Sequence, residues 1–333
     1  MAATSLPGAA RLTVRITDVS AKAEGVVALE LRPADGGALP PFTAGSHIDV
    51  ELPVTDRQGQ PLVRQYSLCN DPDEVHRYVI GVGRDINSRG GSAWVHDHAK
   101  LGDTLRISAP RNHFALVEGA EESVLVAGGI GITPLLAMAR RLSALGRRWT
   151  LYYCARTPQR AAFLRELEAL PGRVVPVFDG IPGGKPIDLT SVVEATSQVA
   201  HLYCCGPASL MVAFQTATSL RPPAHVHVEW FKPRQVVHDP PPGGDGAFQI
   251  MLARTGLKLS VPASKSVLDV LLEAGINVQH SCCDGVCGTC ETKVLDGIPE
   301  HRDSVLFGED AKTSTRMMVC VSRCAGTELV LDL

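Results

Sequence analysis

Between Arg11 and about Leu116 the apolar residues fall at alternate positions in short runs, Leu12/Val14/Ile16, Ile48/Val50/Leu52 and Tyr78/Ile80/Val82, broken by Gly, Pro and Asp. A period of two marks strands with one buried face, so this stretch predicts an antiparallel barrel or sandwich. From about Ser123 to Trp230 the texture changes. SVLVAGG, WTLYYCA, RVVPVF, AHLYCCG and HVHVEW are nearly continuous apolar runs separated by helical stretches. Strands buried on both faces and alternating with helices predict an α/β domain on a parallel sheet. Next comes KPRQVVHDPPPGGDG, whose three consecutive prolines and paired glycines suit neither a regular helix nor a central strand. It reads as a linker. The last stretch opens with a hairpin-like pair, FQIMLART and LKLSVP, continues with an amphipathic helix from Ser266 to Ala274, and ends in ELVLDL. The expected division is a barrel domain over 1–117, an α/β domain over 118–231, a linker over 232–247 and a small third domain over 248–333. There is no internal repeat.

Length agrees with that division, since 333 residues at about 100–200 per domain make two or three domains. Net charge is −3, and charged residues are 20% of the chain. That balance excludes a strongly basic nucleic-acid binder, and no nucleic-acid partner is expected. No run approaches the roughly 18–20 apolar residues of a membrane span, and MAATSLPGAAR lacks the basic-then-apolar layout of a signal peptide. A cytoplasmic protein with no membrane partner is expected.

The cysteines change the picture most. There are ten, and six of them (Cys282, Cys283, Cys287, Cys290, Cys320 and Cys324) follow residue 280. Cys282, Cys287 and Cys290 are spaced C-x4-C-x2-C, and Cys320 follows after 29 intervening residues. This is the plant-type ligand spacing for a 2Fe-2S cluster. Gly285 and Gly288 permit the backbone angles and close amide approach that such a loop requires. A zinc site would prefer a second paired knuckle, which is missing. Cys283 and Cys324 read as non-ligating thiols.

Two glycine turns mark a nucleotide crevice. Ala127-Gly128-Gly129-Ile130-Gly131-Ile132-Thr133-Pro134 follows a strand and opens a helix, with Thr133 expected as helix cap and Pro134 in the first turn. A helix start facing such a turn suits a pyrophosphate, although the string is not the G-x-G-x-x-G fingerprint. Cys204-Cys205-Gly206-Pro207 repeats the layout. Cys205 is either a small buried residue or a thiol near a nicotinamide. In the barrel, Arg64-Gln65-Tyr66-Ser67 offers a cation, an aromatic ring and a hydroxyl for a phosphorylated aromatic cofactor. Arg89-Gly90-Gly91-Ser92 offers amides at a helix start. His96 and His98 have metal-like spacing but read as an exposed turn.

Taken in order, RQYSL, RGGS, GGIGITP, CCGP and CCDGVCGTC with Cys320 resemble the phthalate dioxygenase reductase family, across almost the whole chain. The resemblance implies an FMN-binding antiparallel β-barrel, an NADH-binding α/β domain and a C-terminal β-grasp plant-type ferredoxin domain. It implies Arg64, Gln65, Tyr66, Ser67, Gly81, Val82, Gly83, Gly90, Gly91 and Ser92 for FMN, with Phe231 against the flavin. It implies Gly129, Thr133, Pro134, Cys205, Gly206 and Pro207 for the nucleotide, and Cys282, Cys287, Cys290 and Cys320 for the cluster. Cys283 stands where related sequences usually carry a polar residue. Arg156 and Arg160 follow the second α/β strand, and arginines there can accept the 2′-phosphate of NADPH. NADH remains the expected donor.

A nicotinamide gives two electrons together and a 2Fe-2S cluster takes one, so a flavin between them resolves the mismatch. No catalytic side-chain nucleophile or base is expected. No facial set of two histidines and a carboxylate for oxygen chemistry is evident, so the electron must leave for another protein. By resemblance the acceptor is a Rieske-type oxygenase that hydroxylates or demethylates a small substrate, met in a transient complex by a monomeric reductase. The alternatives are a haem or di-iron monooxygenase as acceptor, a non-catalytic iron–sulfur redox sensor, and a zinc knuckle.

Overall fold

The computed structural model describes residues 11–55, 59, 61–88, 90–233, 246–306, 309–313 and 315–333. Arg89 and most of the expected linker lie outside the described residues. These residues form two compact units, divided along the chain after Phe231.

In the first unit, the alternating runs become β1 (Leu12–Ala23), β2 (Val26–Pro33), β3 (His47–Thr55), β4 (Pro61–Ser67), β5 (Tyr78–Gly83) and β6 (Thr104–Ile107), with α1 (Gly91–His98) between the last two. They pair antiparallel in the order β4-β3-β6-β1-β2-β5. The bridge Leu68↔Ile80, just past β4, joins the two edges into a barrel. Val14, Ile16, Leu29, Leu31, Ile48, Val50, Tyr78 and Ile80 fill its interior.

The continuous apolar runs become β7 (Glu122–Gly128), β8 (Arg148–Ala155), β9 (Arg173–Phe178), β10 (His201–Cys205) and β11 (Val226–Glu229), connected through α2 (Ile132–Ala144), α3 (Leu164–Glu168), α4 (Leu189–Glu194) and α5 (Ala208–Ala217). All pairs are parallel, in the order β11-β10-β7-β8-β9. The order reverses between β7 and β10, and ligands of such sheets bind where the carboxyl ends diverge. Barrel residues Val26, Ala28 and Cys69 share one core with Leu125, Ile132 and Leu136, so the two sheets share an apolar interior.

The second unit is a five-stranded sheet, β13-β12-β18-β14-β16, in which β12 (Phe248–Leu252) and β18 (Glu328–Leu331) are parallel neighbours. The other members are β13 (Lys258–Val261), β14 (Glu291–Asp296) and β16 (Arg316–Met318); β15 (Pro299–Glu300) pairs with β17 (Arg323–Cys324). The helix α6 (Val267–Glu273) starts at a reciprocal cap between Ser266 and Asp269 and buries Val267, Leu268, Val270 and Leu271 against the sheet core. Its bounds match the amphipathic stretch. Among the described residues, no helix is long and apolar enough to cross a membrane.

Candidate functional site

In the second unit the loop after α6 carries Cys282, Cys287 and Cys290, and Cys320 follows β16. Gly285 and Gly288 take positive φ, 69° and 72°, which glycine alone adopts freely. A Cβ on Gly285 would also lie 2.6 Å from Val321 Cγ2 and 3.2 Å from Asp303 Cα. Asp303 anchors this wall by accepting from the amides of Val305 and Leu306 and from the Ser322 hydroxyl. The Asp284 amide donates to Cys282 Sγ at 3.4 Å, and Cys287 Sγ lies 3.1 Å from Thr289 Oγ1.

The four thiols shift one another's proton affinity in one chain, Cys287 to Cys282, Cys282 to Cys320 and Cys320 to Cys290. Bonds from Cys287 and Cys320 hold Cys282 far below the usual thiol range, and the bond from Cys320 lowers Cys290. Donating these bonds, and burial, push Cys287 and Cys320 up. Four neighbouring cysteine sulfurs, met by amide and hydroxyl donors, supply the four thiolates that a 2Fe-2S group takes. Cys283, also at positive φ (53°), is exposed, and Cys324 lies on β17.

In the first unit, β4 presents Arg64, Gln65, Tyr66 and Ser67. Arg64 Nη1 donates to the Val63 carbonyl at 2.8 Å, and Gln65 donates to Asp49 at 3.0 Å. Tyr66 packs against the barrel core, and burial pushes its phenol up to about 12. The Arg64 stem crosses Gly91, where a Cβ would sit 2.8 Å from Arg64 Cγ and 2.9 Å from Nε. The strand cation is thus laid over the first turn of α1, whose preceding residue, Gly90, has φ 96°. Ser92 Oγ accepts from the Asp85 amide. This cradle, in which a side chain at position 91 would press on Arg64, fits the phosphate of a flavin mononucleotide. His96, on α1, has Nε2 2.9 Å from the Val82 carbonyl. Val82 is buried in the barrel. Gly81 and Gly83 face the α/β half: Cβ atoms there would lie 2.7 Å from Thr133 Cγ2 and 3.3 Å from Ile130 Cβ.

The glycine turn departs from expectation at Thr133. Residues 129–131 form a 3-10 turn, so α2 begins at Ile132 and places Thr133 inside its first turn. The hydroxyl donates back to the Ile130 carbonyl at 3.0 Å and does not cap the helix. Pro134 is buried in the same turn. Gly129 has φ 52° and open space where a Cβ would be, whereas a Cβ on Gly131 would meet the Cys205 carbonyl oxygen at 2.2 Å. A Cβ on Gly206 would lie 3.0 Å from the Gly128 backbone, and Pro207 precedes α5. The two turns therefore form one crevice wall.

Cys205 is buried, and burial first, then Glu229, hold its thiol well above the usual range. Glu229 stands beside it in register on β11, and Ser67 Oγ donates to Glu229 Oε2 at 3.5 Å across 162 residues of chain. Glu229 retains some surface access yet is ringed by protein, and that burial pushes its carboxyl up to about 8. Sequence reasoning missed Glu229, although a lone carboxylate in the strand text VHVEW was the available signal. Phe231 closes the unit with 39% of its surface exposed.

A parallel-sheet crevice opening onto a barrel with an anion cradle, plus three loop cysteines and a fourth after β16 on a small mixed sheet, defines a nicotinamide-nucleotide oxidoreductase with a ferredoxin domain. Residues 125–216 match the oxidoreductase NAD-binding domain, and residues 250–325 match the 2Fe-2S iron-sulfur cluster binding domain. The chain is 44% identical over 324 residues to phenoxybenzoate dioxygenase subunit beta of Ectopseudomonas oleovorans, covering 97% of this chain and 98% of that one. The solved structure of phthalate dioxygenase reductase, described as a modular structure for electron transfer from pyridine nucleotides to [2Fe-2S], matches at TM-score 0.68 and 40% identity, over 97% of this chain and 98% of that one. An intact type IV self-sufficient cytochrome P450 monooxygenase matches at TM-score 0.85 and 37% identity over 97% of this chain. There the chain spans only 41% of the matched protein's length. The chain belongs to the phthalate dioxygenase reductase family. It is an oxidoreductase whose cofactors are FMN, a nicotinamide nucleotide and a 2Fe-2S cluster.

Proposed function

We propose that the chain draws electrons from NADH and delivers them singly, in a transient complex, to a Rieske-type terminal oxygenase, working as a cytoplasmic monomer. The observation that carries this reading is the meeting of Ser67, from the strand that bears Arg64, with Glu229 beside Cys205. It gives the flavin strip and the nucleotide crevice a common wall. In this reading residues 1–117 hold FMN through Arg64, Gln65, Tyr66, Ser67, Gly81, Val82, Gly83, Gly90, Gly91 and Ser92, with Phe231 against the ring. Residues 118–231 hold NADH through Gly129, Thr133, Pro134, Cys205, Gly206 and Pro207. Residues 248–333 hold the cluster through Cys282, Cys287, Cys290 and Cys320, and 232–247 link the parts.

When bound, the nicotinamide supplies a hydride, the flavin accepts the pair and releases electrons singly, and the cluster carries one at a time outward. The chain's residues bind, orient and insulate. Arg64 and the first amides of α1 hold a phosphate. Glu229, with its carboxyl raised to about 8, keeps a proton at neutral pH and brings no fixed anion to the crevice. Cys205 stays a neutral thiol, so it fills the turn without acting as a nucleophile. The Asp284 amide supports Cys282 as thiolate.

Anaerobic titration with NADH tests the reading. Flavin and iron–sulfur bands should both bleach after about 1.5 NADH, the three electrons that FMN and the cluster take per protein. A colourless protein, or a cluster indifferent to NADH, refutes it. The likeness to the self-sufficient P450 favours a second reading, delivery to a haem monooxygenase. Transfer rates to a Rieske oxygenase and to a P450 under the same conditions separate the two.

A further inference from the structure

Residues 301–306 form a polar cluster beside the loop that carries Cys282, Cys287 and Cys290. The Ser304 amide donates to the Gly285 carbonyl at 2.8 Å, and an added Cβ on Gly285 would come 3.2 Å from Asp303 Cα. Asp303 accepts from the Val305 and Leu306 amides at 2.9 Å and 2.6 Å through Oδ1, and from the Ser322 hydroxyl at 3.1 Å through Oδ2. Ser322, two residues after Cys320, also accepts from the Arg302 amide at 3.3 Å. One carboxylate therefore ties the loop of the first three cysteines to the turn of the fourth.

The Asp303 side chain has 0% of its surface exposed. Among the described residues no lysine or arginine forms an ion pair with it: Arg302 pairs with Glu300 at 2.8 Å, and Arg323 donates to the carbonyls of Lys265, Gly246 and Pro262. His301 Nδ1 stands 3.5 Å from Asp303 Oδ2. Burial opposes the charge, but the bonds from His301, Leu306, Val305 and Ser322 outweigh it and keep the carboxyl below the usual carboxylate range. The group is thus an anion at neutral pH, stabilised by amide and hydroxyl donors that do not cancel its charge.

A 2Fe-2S cluster held by four thiolates gains a negative charge on reduction, and nearby charge and hydrogen bonding set its potential. We propose that Asp303 is an electrostatic tuning residue for the cluster: its buried carboxylate, fixed against the loop at Gly285, opposes the added electron and lowers the reduction potential. This deepens the reductase reading above and rests on it. A lower potential makes the reduced cluster a stronger donor to its acceptor. At an effective dielectric near 20, a unit charge acting across a loop shifts a one-electron equilibrium by about tenfold, which is about 59 mV.

The test is an anaerobic titration of full-length holoprotein with dithionite and redox mediators, followed by the electron paramagnetic resonance of the reduced cluster. It is run at pH of about 8.5, where an ordinary imidazole is neutral. Asp303→Asn keeps the shape and the acceptor for Val305 and Leu306 but removes the charge. It should favour the reduced cluster about tenfold, a rise of about 59 mV. Ser322→Ala keeps the charge and removes one donor, so the potential should fall. A merely structural role predicts otherwise: a loosened loop admits water, which favours the more highly charged reduced state, and the potential rises in both variants. An unchanged or lower potential in Asp303→Asn, or a potential that does not fall in Ser322→Ala, overturns the inference and leaves the reductase reading intact. If Asp303→Asn does not take up its cluster, Ser322→Ala decides alone by the same criterion. A wild type without a cluster overturns both.

Discussion

The contact between Arg64 and Gly91 gives the sharpest test of the flavin cradle. On the proposed reading Arg64→Ala removes a charge-assisted bond to the FMN phosphate, which is worth about 1.5–3 kcal/mol, so the Kd for FMN should rise roughly 10- to 150-fold. Gly91→Ala leaves the charge in place but puts a methyl group 2.8 Å from Arg64 Cγ and 2.9 Å from Nε. A long side chain can yield, so the cost is that of an off-rotamer arginine, about 0.5–1.5 kcal/mol or roughly two- to twelvefold in Kd. The decisive result is the combination. Without the Arg64 side chain the methyl group loses its three nearest neighbours, all within 3.2 Å, so Gly91→Ala should add almost nothing to Arg64→Ala, a coupling as large as the glycine effect itself. The assay is FMN fluorescence quenching on the flavin-depleted chain, with circular dichroism to verify folding. Full additivity, or FMN affinity unchanged in Arg64→Ala, refutes the cradle.

Cys287→Ser should lose the iron–sulfur absorption yet keep flavin reduction by NADH, and cytochrome c reduction at full rate in this variant would show that electrons bypass the cluster. Gly131→Ala should impair NADH-dependent flavin reduction and lower the thermal midpoint, since the new methyl would press to 2.2 Å on the Cys205 carbonyl oxygen; overpacking of this kind costs about 1–3 kcal/mol. Burial raises the Glu229 carboxyl from 4.5 to about 8, so its protonated form favours the fold. That contribution is complete below 4.5 and is lost as pH rises through about 8. Stopped-flow flavin reduction by NADH should therefore slow above pH of about 8 in the wild type and show no such step in Glu229→Gln; a step of equal size in both removes Glu229 from the site.

Local pattern carried much of this molecule. Alternation at Leu12/Val14/Ile16 and Tyr78/Ile80/Val82 marks barrel strands because every second side chain of a strand shares a face. The spacing of Cys282, Cys287 and Cys290 marks a cluster loop because chain length alone brings those thiols together, and Ser266 with Asp269 marks a helix start because the cap forms within one turn. Thr133 shows where such reading stops. Its type fits a cap, yet the 3-10 turn at 129–131 moves the helix start and turns its hydroxyl to Ile130.

What the sequence by itself determined is whatever neighbours within a few residues decide: the strand and helix periods, the turn glycines, the cysteine spacing and the family likeness. Tertiary structure alone decided which distant groups meet. Ser67 reaches Glu229, Arg64 lies over Gly91, and Asp179 holds Arg156. The reason is physical: the proton affinity of Glu229, the crowding at Gly131 and the pairing of Arg156 depend on burial and on charges brought from other strands, and these quantities exist only once the sheets have closed.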